Sequence, residues 1–152
     1  MRSVRHALAI LGDREVRRWI RLVATLVAGQ NKPTDLVLTA LTRARFCELI
    51  TAKVGQDSAD LFLVGLLSLI DAILELPMGL VLDGISLAPD VRAVPLGERC
   101  RLSPIYDLML THEAGQWEEA ANLSAQLHLP DGFAADIQWN AMQWASQMTS
   151  EV

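Results

Sequence analysis

The chain is predicted to be all-α, a globular multi-helix domain of about eight or nine helices, and three observations carry that prediction. Helix stop and start signals recur along its 152 residues: Gly12, Gly29 and Gly55 each close an apolar run, and Asp13 and then Thr34 or Asp35 stand where capping side chains belong. No alternating run is long enough for a strand. Hydrophobic content is 51% and mean hydropathy +0.26, enough for one domain with a real core, and high enough that part of its apolar surface is expected to meet a partner.

Taken in order, "SVRHALAIL" stops at Gly12 and "DREVRRWIRLVATLVAG" runs from the cap Asp13 to Gly29. "PTDLVLTALTRARFCELITAKVG" repeats that punctuation and ends at Gly55, and "DSADLFLVGLLSLIDAILEL" is read as one helix running to Pro77. Beyond it the elements shorten. "MGLVLDG" and "SLAPDVRAVPLG" read as helices of one or two turns, broken by Gly84, Pro89 and Pro95, because proline cannot donate into a helix interior. "SPIYDLMLTHEAG" has Ser103 as its expected cap and Pro104 at the first helical position, "QWEEAANLSAQLHL" stops before Pro130, and "DGFAADIQWNAMQWASQM" completes the series.

The fourth of these helices is apolar on nearly every side, from Leu61 through Leu74, and such a helix lies at the centre of its domain. Gly65 and Ser68 are its small residues, three apart on one face, where a neighbouring helix can come close. The run from Leu61 to Leu76 is shorter than the roughly 20 residues of a membrane-spanning helix and contains Asp71 and Glu75. The first residues are basic throughout and lack a small-residue cleavage site. Cys47 and Cys100 have no paired spacing and read as free thiols. These features together predict a cytoplasmic protein without a membrane span.

The inventory of reactive residues offers no enzyme. His6, His112 and His128 have no histidine partner at i+3 or i+4 and no adjacent aspartate, so they have none of the convergence that a hydrolytic metal site needs. No strained serine elbow and no glycine-rich phosphate loop is present.

Charge is divided unevenly. Residues 1–53 hold ten Lys or Arg against four Asp or Glu, a net of +6, whereas residues 54–152 hold three against fourteen, a net of −11. Arg14, Arg17, Arg18 and Arg21 fall at i, i+3, i+4 and i+7 and form one stripe, the candidate interaction surface. A solvated face, or pairing with the chain's own acidic half, is the plain reading of such a stripe; docking onto an acidic surface of an adjoining domain or partner is the second, and binding a phosphate-bearing ligand or nucleic acid the third. An isoelectric point near 5.1 and the lack of aromatic residues interleaved with the arginines argue against nucleic acid.

Three stretches, "SVRHALAILGDREVRRWI", "LTRARFCELI" and "FLVGLLSLIDAILELPMGLVLDGISLAPDVRAVPLG", resemble the HDOD domain, the degenerate HD-type module of bacterial signalling proteins. They are most similar to the branch that follows an EAL domain in two-part cyclic di-GMP signalling proteins, and the likeness extends to about Trp117. HD phosphohydrolases carry Gly-Leu-Leu-His-Asp-Ile-Gly where this chain has "GLLSLID", so Ser68 and Leu69 occupy the degenerate HD position. The resemblance therefore implies a regulatory or scaffolding module of 152 residues with no catalytic residues, metal or cofactor, whose partner is another protein or an adjoining EAL domain. It also implies that helices preceding Ala7 to Gly12 in the family, and the EAL domain itself, are missing from this chain, so that the uncovered core is expected to self-associate. The alternative is an HD-type phosphohydrolase whose ligands have not been recognised.

Overall fold

A computed structural model describes residues 33–55, 58–84 and 87–150 of the chain. Among the described residues there are eight helices and no strand, as the sequence predicts: α1 (Pro33–Val54), α2 (Ser58–Leu67), α3 (Ile70–Leu74), α4 (Met78–Asp83), α5 (Pro89–Ala93), α6 (Ser103–Glu113), α7 (Trp117–Gln126) and α8 (Phe133–Ser150). The two helices expected before Pro33, with the Arg14, Arg17, Arg18 and Arg21 stripe, lie outside the described residues.

The long helix α1 is held between α2 and α8. Its spacing explains why. Val37, Ala40, Leu41 and Ala44, then Cys47 and Ile50, recur every three or four residues and are all buried. Toward the start of α1 they meet Phe62 and Leu66 of α2, Ile73 of α3, and Ala145 and Met148 of α8. Toward its end, Phe46, Cys47 and Ile50 join a larger cluster that includes Leu61 and Val64 of α2, Ile105 and Leu108 of α6, and Ile137 and Ala141 of α8. Low residue numbers of α1 thus share a cluster with high numbers of α8, and the reverse, so the two helices run antiparallel. As expected, α2 is apolar all round: Leu61, Phe62, Leu63, Val64, Leu66 and Leu67 are all buried.

Gly65 makes the closest contact in this core. A Cβ added there would lie 2.5 Å from the Ala44 Cα, a separation that real side chains do not tolerate. Glycine on α2 facing alanine on α1 lets the two backbones touch.

Several ends differ from the sequence reading. The stretch expected to run as one helix to Pro77 breaks at Ser68 and Leu69, and α3 then stops at Glu75, whose left-handed φ of 56° lets the Leu76 amide reach back to the Asp71 carbonyl at 3.1 Å. Helix α1 starts at Pro33, one residue ahead of the expected caps, a position at which a missing N–H costs nothing. Ser103 is the first residue of α6 rather than its cap; its hydroxyl accepts the Cys100 amide at 2.9 Å instead. Gly55 closes α1 at φ +82°, as its position predicts.

Candidate functional site

The break between α2 and α3 has a local cause and a distant one. The Ser68 hydroxyl donates to the Gly65 carbonyl at 2.7 Å, and the Ser68 amide turns to that same carbonyl at 3.3 Å. A serine that binds backbone within its own turn competes with the helical ladder. From α1, Arg43 Nη1 donates to the Ser68 hydroxyl at 3.2 Å and holds it in place. The backbone then resumes at Leu69, the N-cap of α3, which supplies no capping side chain.

Arg43 is the centre of this arrangement. It lies on α1 immediately before Ala44, with its side chain only 12% exposed, and a buried guanidinium needs a carboxylate. Glu113, the last residue of α6, provides one in a forked pair: Nε to Oε2 at 2.9 Å and Nη2 to Oε1 at 2.6 Å. Burial opposes the charge on Arg43, but the hydrogen bond and attraction of Glu113 outweigh it and raise the Arg43 pKa further. One arginine thereby ties α1, the α2–α3 break and the end of α6 together.

The residues around it are chemically quiet. Cys47, one helical turn from Arg43, is fully buried, and burial pushes its thiol up to about 12, so it is protonated at neutral pH. Burial also raises the Tyr106 phenol and lowers the His112 imidazole. His112 is wedged between Phe46 and Trp117, with ring centroids 5.9 and 5.1 Å away, and its Nδ1 is buried without a hydrogen-bond partner among the described residues. Both Glu113 oxygens are occupied by Arg43. The Cys47 thiol is thus held protonated and the Glu113 carboxylate is engaged.

A metal ion does not fit at Ser68. The Glu113 carboxylate is engaged, the serine hydroxyl is shared between a carbonyl and a guanidinium, and that guanidinium places a positive charge where a cation would have to sit. Among the described residues, no three His, Cys, Asp or Glu side chains group as metal ligands.

The structure therefore places the two sequence-predicted positions differently from one another. Ser68 is 8% exposed and belongs to the polar cluster, not to a dry apolar setting, while Leu69 is half-buried and packs at the edge of the cluster formed by α1, α2, α3 and α8. Arg43 and Glu113 were not singled out by the sequence reading. A signal existed in Arg43: it interrupts the buried series Ala40, Ala44, Cys47 on α1, and a charge at such a place requires a partner.

Beside this cluster, α7 and the first turn of α8 border a groove of about 250 Å³, lined by His112, Trp117, Ala121, Ala125, Asp131 and Ala135 among others. Arg43, Ser68 and Glu113 do not line it.

Over 150 residues, 96% of its length, the chain is 24% identical to the uncharacterized protein YuxH of Bacillus subtilis, of which it covers 36%. Over 120 residues, 76% of its length, it is 29% identical to the cyclic di-GMP phosphodiesterase CdgJ of Vibrio cholerae, of which it covers 27%. The chain spans about a third of the length of these curated relatives. No protein-family model and no solved structure matches it.

Proposed function

We propose that this chain is a non-catalytic regulatory module of the HDOD type, linked to cyclic di-GMP signalling and acting through contacts with a protein partner or with an adjoining EAL domain. The observation that carries the reading is the Arg43 guanidinium bound to Ser68 and Glu113, because it fills with protein charge the place where the resemblance would put a metal. The similarity to CdgJ supports the signalling link. Any phosphodiesterase activity in a longer protein of this kind would belong to the part that this chain does not span. In the described residues, no helix is long and apolar enough to cross a membrane.

The test is metal analysis of the purified chain together with an assay of cyclic di-GMP hydrolysis. The expected result is substoichiometric Mn, Fe and Zn and no turnover. One equivalent of any of these metals, retained through gel filtration and accompanied by hydrolysis, would replace the reading with that of an HD-type phosphohydrolase.

A further inference from the structure

The described arginines are all used internally. Arg43 pairs with Glu113, Arg45 with Glu48, Arg92 with Asp83, Arg99 with Asp107, and Arg101 with Asp60 and Asp90. The acids toward the end of the chain are in the opposite condition. From residue 102 to residue 152 there are seven Asp or Glu and no Lys or Arg. Glu118, Glu119, Asp131 and Asp136 are exposed and have no ion-pair partner among the described residues.

Large apolar side chains stand among those carboxylates. Trp117 is 64% exposed and Trp139 62%, values that are unusual for tryptophan in a packed domain. Trp117 borders the α7–α8 groove on one side and a second hollow, formed with Gln116, Glu118, Glu119 and Asn122, on the other. Ala135 lines the groove, and Trp139 and Met142 follow it at i+4 and i+7, so the apolar stripe continues along α8 from the groove. Five alanines line the groove, Ala120 and Ala134 buried and Ala121, Ala125 and Ala135 exposed, so no bulky side chain of theirs fills it.

From these features we propose that the α7–α8 face docks a basic amphipathic helix of a protein partner. Its apolar side would rest on Trp117, Trp139 and Met142, and its Lys or Arg side chains would reach Glu118, Glu119, Asp131 and Asp136. Exposed tryptophan is the residue best suited to anchor such a contact, through area, cation–π attraction and low rotamer cost, and methionine adapts to irregular partners. A helix laid into a groove is a recurrent mode for partners of this shape. The charge excludes the two main competitors, since anionic lipid and nucleic acid would both be repelled. Lys53 already lies over the Phe133 ring at the base of α8, 5.7 Å from its centroid, so this end of the helix accommodates a cation on an aromatic face. The inference deepens the proposed function by naming the contact surface, and it rests on that reading only for the assumption that contacts are the output.

A fluorescein-labelled 18-residue helical peptide of Leu and Lys, and its Leu and Glu counterpart, test it by anisotropy against the whole chain. The Leu and Lys peptide should bind at least tenfold more tightly than the Leu and Glu peptide, and its binding should weaken as salt rises. Trp139→Ala, and separately the double variant Glu118→Lys with Glu119→Lys, should each weaken it at least tenfold while leaving the thermal melt unchanged, because all three residues are exposed. Variants that bind like the parent chain, or equal binding of the two peptides, would overturn the proposal. Concentration-dependent dimerisation abolished by Trp139→Ala would also overturn it, assigning the face to a second copy. None of these outcomes depends on metal content or hydrolysis, so failure here and failure of the proposed function are told apart.

Discussion

Arg43 and Ala44 are adjacent on α1, yet they meet the neighbouring helix in opposite ways. At Ala44 the contact is made by removing atoms, since Gly65 has no side chain and the backbones touch. At Arg43 it is made by adding them, with a long charged side chain reaching over to Ser68 and on to Glu113. The first contact is dry and has no room for change. The second is polar, and Glu113 keeps 32% of its side-chain exposure, so water can replace part of what is lost. The lesson is that closeness and connectivity are separate properties of a helix interface, and they should fail differently.

The largest effect is expected at the dry contact. On an open helix, Gly→Ala gains about 1 kcal/mol from propensity. At Gly65 the new methyl would meet backbone that cannot move aside, so Gly65→Ala should instead cost about 3 kcal/mol and lower Tm by roughly 6 to 12 °C. A Tm unchanged or raised in thermal denaturation would mean that α1 and α2 can separate freely, and the comparison would collapse.

A smaller loss is expected at the polar contact. Removing one partner of a fully buried pair costs about 3 to 5 kcal/mol, but the partial exposure of Glu113 calls for a discount. Arg43→Ala should therefore cost about 2 kcal/mol by urea denaturation, and part of that loss should be shared with Glu113→Ala in a double-mutant cycle. Strict additivity of the two would show that the forked pair contributes nothing beyond packing.

The smallest effect sharpens the boundary between the two regions. Read as a buried helix residue, Leu69 changed to Asp would cost several kcal/mol. It is instead a half-buried N-cap without a capping side chain, and aspartate is among the better N-cap residues. Leu69→Asp should change stability by about 1 kcal/mol or less. A collapse of the melt in that variant would place Leu69 back in the dry core.

Much of the fold could be read in the sequence because its signals are local. Gly55 ends α1, Pro104 sits in the first turn of α6, and the unbroken apolar run of α2 declares a buried helix, each within a few residues. The α2–α3 break could not be read in the same way. Ser68 is a tolerable helix residue by itself, and what turns it out of the ladder is reinforced by Arg43, 25 residues earlier in the chain. The Glu113 partnership is more distant still, across 70 residues, and a periodic pattern contains no record of it. Among the residues singled out in the sequence only Ser68 points to this cluster, and Arg43 and Glu113, which carry its charge, are brought together by the fold. The arginine stripe at residues 14–21 lies outside the described residues.

The Gly65 contact has a mechanical consequence. Helix α1 is 22 residues, or about 33 Å, long, and Ala44 lies at its midpoint. At that point any shift of α1 against α2 would drive backbone into backbone, so the contact fixes the register of the two helices. Helix α8 lies antiparallel along α1 and is bound to both of its halves, near Phe133 and Ile137 at one and near Met148 at the other. A load placed on the Trp139 face would thus bear on both halves of α1 rather than on one end of it.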